Sequence, residues 1–293
     1  MASQVVYSHD FPRLVDQGQL APEQFDYVFL CEGDSWMDRS SLTQLSLPWA
    51  LSEIWQGALG NDALFINLSR FGHRIRHIEA ALNDDFLMWL NVDLGFRFDA
   101  LLFSAGGNDF IDAALHPPAG QGLLRDMHGA GPGLTAADCL NAVAVSNLVT
   151  GEIDPAFDAL YRLVRGSAFY AGLPIFLNGY NVPVARNAPA LKKAWLFEAY
   201  RKNGIPPESG GAPFSLWQEL TATIFQTLEA VVSGWPAGRM GVMPVPTAQV
   251  PLVPADPKSR GESGDWINEI HPNVAGWRKL APVWRDAVHA VVP

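Results

Sequence analysis

The sequence predicts an α/β fold in which a parallel sheet of about five strands lies between two helical layers, a three-layer α/β/α sandwich. Three observations carry this. Short apolar runs bounded by turn residues recur at wide intervals, they lack the polar alternation of a half-exposed strand, and longer stretches with helical spacing separate them. Strands alternating with helices are joined by right-handed crossovers, which makes the sheet parallel and places helices on both faces.

The strands expected in chain order are Tyr27 to Cys31, Leu64 to Leu68, Leu101 to Ser104 and Pro174 to Asn178. After Gly72, the residues Ile75, Ile78, Ala81 and Leu82 keep a helical spacing, so His73 and His77 belong to a helical segment. Asp154-Pro155 reads as an N-cap followed by proline at the first helical position, ahead of Phe157, Leu160, Tyr161 and Val164. Helices follow from Phe214 to Ser233, with Leu216, Leu220, Ile224 and Leu228 on one face, and from Ala275 to Val292. The proline-rich stretch Pro244 to Pro257 is extended, with a fifth, short strand near Val250 to Val253.

Two long connections do not fit the repeat: residues 116–147, rich in Gly and Ala, and residues 181–213, rich in Pro and Gly with Trp195, Phe197 and Tyr200 inside. Both follow strands, and such connections overhang the carboxyl ends of an open α/β sheet, where ligands bind. They are expected to form pocket walls or a lid on a single domain spanning residues 1–293.

With 293 residues, 48% of them hydrophobic, the chain can bury one large core without metals or cross-links. A net charge of -10 argues against nucleic acid, which needs clustered Lys and Arg to displace counterions. Cys31 and Cys139 offer neither metal-ligand spacing nor a disulfide framework and are expected to be reduced. Met1 to Leu20 carries His9, Asp10, Arg13 and Asp16 where a secretion signal needs an apolar stretch, and no run reaches membrane-spanning length. The expectation is a soluble, cytoplasmic protein, signal-less export aside, that inserts in no membrane.

Ser35 lies in Cys31-Glu32-Gly33-Asp34-Ser35-Trp36, directly after the first expected strand, where its hydroxyl would emerge at the carboxyl edge of the sheet. A serine hydroxyl needs an adjacent base to act as a nucleophile. Of seven histidines His271 suits best, because Ile270-His271-Pro272-Asn273 is a loop just before the last helix. An oxyanion developing beside Ser35 would receive three donors: the N–H of Ser35, the N–H of Gly72 after the second strand, and the side-chain amide of Asn108 after the third. Trp36, beside the nucleophile, and Trp195 are candidates to line an acyl site.

Together these segments resemble the blocks of the SGNH/GDSL hydrolase family. Gly33-Asp34-Ser35 resembles the first block, Gly72 the second, Gly106-Gly107-Asn108-Asp109 the third, and His271 the histidine of the last; the anchors run from about Phe25 to Gly276. The resemblance implies a flavodoxin-like three-layer fold, metal-independent ester hydrolysis with no other cofactor, a small-molecule ester or acylated substrate, and an acyl-enzyme intermediate. The chain departs from it at one position: the family places aspartate three residues before the histidine, and here stands Asn268. Replacing a triad aspartate by asparagine costs on the order of ten-thousand-fold in turnover elsewhere, partly through the wrong histidine tautomer. Asn268, Glu269, Asp265 or a backbone carbonyl would have to orient His271; a dyad assisted by Asn268 is the preferred reading.

Each residue also has a plain structural use. Ser35 could cap a following helix, His271 could pack beside Pro272, Asn108 could close an Asx-turn and Gly72 could serve only its turn. Asp34 and Asp109 read as braces of their loops. The reading preferred is a serine carboxylic ester hydrolase. The alternatives are a non-catalytic binding module in which Asn268 records the loss of the charged triad member, and an acyltransferase or carbohydrate deacetylase using the same site. An α/β-hydrolase is disfavoured, because no Gly-x-Ser-x-Gly elbow occurs.

Overall fold

The computed structural model describes residues 2–39, 44–59, 62–81, 85–117 and 122–292. Leu82 of the expected third-layer helix and residues 118–121 of the first insertion lie outside them. Among the described residues six strands form one parallel sheet: β1 (Gln4–Tyr7), β2 (Tyr27–Gly33), β3 (Ala63–Asn67), β4 (Ala100–Ser104), β5 (Ile175–Asn178) and β6 (Val242–Val245), in the spatial order β1-β3-β2-β4-β5-β6. From β2 to β6 this is the doubly wound order 2-1-3-4-5 of flavodoxin-like folds, with β1 added outside β3. The switch point, where crossovers leave in opposite directions, falls between β2 and β4.

The four apolar runs expected as strands are the four inner strands, every residue of which is buried. The two edge strands are the ones that differ from expectation. β1 was not anticipated and β6 lies at Val242–Val245 rather than Val250 to Val253. Both are short and only half covered, and β6 contains Pro244, which argues against a central strand in the sequence but which an edge strand tolerates because one side needs no donor. Residues 247–249 instead make a short 3-10 turn.

The helices are α1 (Phe11–Asp16), α2 (Leu47–Leu59), α3 (Ile75–Ala81), α4 (Leu87–Asn91), α5 (Gly107–Leu115), α6 (Ala136–Cys139), α7 (Ala142–Leu148), α8 (Asp154–Gly166), α9 (Trp195–Lys202), α10 (Ser215–Gly234) and α11 (Val274–His289). α2 and α11 pack together over one face of the sheet, where Trp55 of α2 stands edge-on to Phe29 of β2 with centroids 4.9 Å apart. α3 and α8 pack together over the other, where Phe157 of α8 lies 6.3 Å from Phe103 of β4. The two faces follow from alternation, since Phe103 is in register with Glu32, an odd number of residues from Phe29. Asp154 does not cap α8 as expected: a π-helical turn (Val149–Ile153) runs straight into the helix, and the Asp154 carboxylate accepts the indole N–H of Trp235 instead. Among the described residues no helix is long and apolar enough to cross a membrane.

Candidate active site

The turn after β2 is built on a close approach. Gly33 has φ of 148°, and a Cβ there would lie 2.2 Å from the Ser104 carbonyl oxygen on β4, so only glycine lets the strand end run this close to its neighbour. Asp34 then binds the turn together. Its Oδ1 accepts the N–H of Trp36 at 2.9 Å and the Ser104 hydroxyl at 3.0 Å, while Oδ2 accepts the Tyr180 hydroxyl at 2.6 Å. Burial pushes the Asp34 carboxyl up to about 6 against these donors. Ser35 is thus held at the switch point by its neighbours. No described helix begins beside it, since α2 starts only at Leu47, so a helix-capping role is not what its hydroxyl does.

The Ser35 hydroxyl instead meets His271 Nε2 at 2.7 Å, across 236 residues of chain. His271 is fully buried in the loop before α11, two residues ahead of that helix's cap Asn273. Its Nδ1 meets Asn268 Oδ1 at 3.0 Å, and the same oxygen accepts the backbone N–H groups of Ile270 at 3.1 Å and His271 at 2.9 Å. Two backbone donors fix which end of the amide points inward, because only the oxygen can accept them. The imidazole Nδ1 must then carry its proton, and Nε2 presents a lone pair to the serine. An asparagine that turned its NH2 to the ring would impose the opposite tautomer; this one cannot. Burial holds the His271 pKa down to about 3, so the ring is neutral over the ordinary pH range.

The other groups considered for orienting His271 are engaged elsewhere. Glu269 is buried and accepts the N–H groups of Arg186 at 3.1 Å, Leu196 at 2.9 Å and Phe197 at 2.8 Å. Asp265 Oδ2 accepts the N–H of Val253 and an ammonium hydrogen of Lys279, each at 2.5 Å.

Asn108, in the first turn of α5, donates from Nδ2 to the His73 carbonyl at 3.0 Å, and Asp109 accepts the N–H of Ile75 at 3.0 Å; together they clamp the loop that carries Gly72. Asp34 and Asp109 are therefore the loop braces anticipated. His73 precedes α3 rather than belonging to it. Gly72 has φ of 75°, next to Phe71, whose ring lies 5.9 Å from the imidazole. Asn108, Ser35 and Trp36 line one small cavity together with Asp34, Gly107, Ile111, Tyr180, Phe225 and Ile270; Gly72 and Trp195 do not line it.

Trp36 is buried, with its ring 4.9 Å from Tyr180 and 5.2 Å from Trp277. Trp195 opens α9 under Lys193, whose Nζ is 5.6 Å from the ring. Among the described residues, none that lines the cavity comes from either long insertion. Residues 136–139 pack on α10, and residues 181–213 are tied to the histidine loop through Glu269 and through Arg186, whose Nη2 donates to the Asn268 carbonyl at 2.7 Å. Tyr180, Arg186, Ile111 and Phe225 were not anticipated. Only Tyr180 carried a signal, a phenol placed two residues beyond a strand end.

Comparison with protein-family models finds no match, and neither does comparison with curated protein sequences. Among solved structures, an extracellular lipase from Streptomyces rimosus superposes with a TM-score of 0.50 at 15% identity, covering 89% of this chain and 99% of that one. A gut microbial diltiazem-metabolizing enzyme gives 0.50 at 12% identity, over 92% of this chain and 48% of its own. A GDSL-like lipase from Bacteroides thetaiotaomicron gives 0.45 at 11%, over 96% and 98%. With a six-stranded parallel sheet between helical layers, and Gly-Asp-Ser, Gly-x-Asn-Asp and the late histidine following its strands in order, the chain has the SGNH/GDSL hydrolase fold.

Proposed function

We propose that the chain hydrolyses a carboxylic ester through an acyl-enzyme on Ser35. The observation that carries this is the single line of contacts from Ser35 Oγ to His271 Nε2 and from Nδ1 to Asn268 Oδ1. Ser35 Oγ attacks the ester carbonyl carbon as its proton passes to Nε2. The tetrahedral oxyanion is held by the N–H of Ser35, the N–H of Gly72 and the second hydrogen of Asn108 Nδ2, the first being given to His73. Collapse expels the alcohol, which takes the proton from the imidazolium. Water, deprotonated by the same nitrogen, then releases the acid and restores Ser35.

The imidazolium formed in each half-reaction faces a neutral amide, which stabilises it less than a carboxylate would. The tautomer, however, is already correct. A fluorophosphonate should label Ser35 in the wild type and leave Ser35→Ala unmodified; a folded wild type that stays unlabelled would dismiss the proposal.

A second reading, a non-catalytic binding module of this fold, is favoured by the neutral Asn268 and by the near closure of the site, where Ser35 is 3% exposed. Turnover of p-nitrophenyl acetate by Asn268→Asp but not by the wild type would select it.

A further inference from the structure

The space beside Ser35 is small and its walls are firm. It measures about 10 Å³, about the room of a single water. Asp34 and Tyr180 also line it, but the Tyr180 hydroxyl is spent on the Asp34 carboxyl, and the remaining side chains, Trp36, Ile111, Phe225 and Ile270, form an apolar surface that suits alkyl carbon.

Phe225 belongs to α10, which packs hard against the entry of α5, the helix that carries Ile111. Leu228 of α10 would lie 2.8 Å from a Cβ on Gly106, and Tyr180 lies 3.0 Å from one on Gly107. Tyr180 is in turn fixed by its 2.6 Å bond to Asp34, and Phe225 is 4% exposed on the buried face of α10. Close-packed walls of this kind do not recede as a loop would.

We propose that this cavity is the acyl pocket of the site, that it admits an acetyl group and excludes longer chains, and that Phe225 and Ile111 set the limit. The proposal rests on ester hydrolysis at Ser35. A methyl group needs roughly the space of one water, which is about what the cavity offers. A butyryl chain adds two methylenes, which must displace Phe225 or Ile111 from the packed interior. The substrates are accordingly acetate esters, and the alcohol leaves on the side away from this cavity.

The test compares kcat/KM for p-nitrophenyl acetate, butyrate and octanoate in the wild type, Phe225→Leu and Phe225→Ala, with labelling of Ser35 by a methylfluorophosphonate measured in parallel. One unaccommodated methylene is worth about tenfold or more in such a pocket, so the wild type should prefer acetate to butyrate by at least that factor. Phe225→Leu should narrow the ratio and Phe225→Ala narrow it further, with Ser35 still labelled; Phe225→Leu keeps the test open where the alanine variant fails to fold. A wild type that is labelled yet turns over butyrate or octanoate as well as acetate overturns the acetyl limit alone. So does an unchanged ratio in a folded, labelled Phe225 variant. Absence of both labelling and turnover overturns the hydrolase reading, and this one with it.

Discussion

Asn268 stands where charge would be expected and supplies geometry instead. Because its Oδ1 also accepts the backbone N–H groups of Ile270 and His271, it cannot flip, and the ring it holds keeps Nε2 free for Ser35. Two effects that aspartate combines, tautomer and charge, are separated here, and substitutions at this one position read them apart. Asn268→Asp retains the three contacts and adds charge beside the ring, so it should raise kcat by roughly tenfold, well short of the full triad effect of on the order of ten-thousand-fold, since the tautomer is already right. An adjacent carboxylate favours the imidazolium and raises the pKa from its value of about 3. The base must be neutral to act, so kcat/KM of the wild type should show no histidine limb between about pH 5 and 7, whereas the aspartate variant should acquire an acid limb moved upward. Asn268→Ala leaves buried donors unmet and the ring unheld, and should cost about a hundredfold or more in kcat. An acid limb near pH 6.5 in the wild type would show that burial does not control this histidine. At this scale Ser35, His271 and Asn108 were legible because each sits in a short motif at a strand end or helix entry. Tyr180 and Arg186 were not, because their partners Asp34 and Glu269 lie 146 and 83 residues away and no local spacing records such a pairing.

Among the elements, the connection from 181 to 213, expected as a pocket wall or lid, is fastened to the loop that carries His271. The Glu269 carboxylate collects the N–H groups of Arg186, Leu196 and Phe197, and the Arg186 side chain returns to the Asn268 carbonyl, so α9 and the histidine loop are one hydrogen-bonded unit. Removing the carboxylate strands three donors, at about 1–3 kcal/mol for each one left buried and unmet. Glu269→Ala should therefore lower stability by roughly 3 kcal/mol or more, a fall in Tm of at least about 6 °C at this chain length. A thermal melt within about 2 °C of wild type would mean that water or a neighbour replaces the carboxylate. The composition of 181–213, rich in Pro and Gly, signals a long connection without saying whether it is loose or fastened, since the fastening is supplied from Glu269. The edge strands teach the same lesson. β2 to β5 announce themselves because both faces are covered and every position is buried, so their runs are apolar up to the last residues, while β1 and β6 are four-residue edge strands only partly covered, and Pro244 inside β6 argues locally against a strand.

Over the whole molecule the buried carboxyls set how stability responds to pH. Burial pushes Glu32 and Glu269 up to about 8 and Asp109 up to about 7, whereas in the unfolded chain such groups ionise near 4. A raised folded pKa means that the native state holds a proton the unfolded state has lost, so the contribution is complete below about pH 4 and disappears as pH rises toward 7 and 8. His271, His73 and His77 are shifted the other way, chiefly by burial, and below about pH 6.5 the unfolded chain binds protons that the native histidines refuse. From about pH 4 to 6.5 the two sets offset one another. Above 6.5 the histidines are neutral in both states and only the carboxyls differ, so stability should fall most between about pH 6.5 and 8, by up to about 1.4 kcal/mol per pH unit for each whole proton released on unfolding. Tm measured from pH 6 to 8.5 should accordingly decline through that window, and Glu32→Gln, an isostere of the protonated acid, should make the decline shallower without lowering Tm at pH 6. A Tm that climbs between pH 6.5 and 8 would show that these carboxyls are ionised inside the fold, their nearby arginines Arg70, Arg74 and Arg186 outweighing burial.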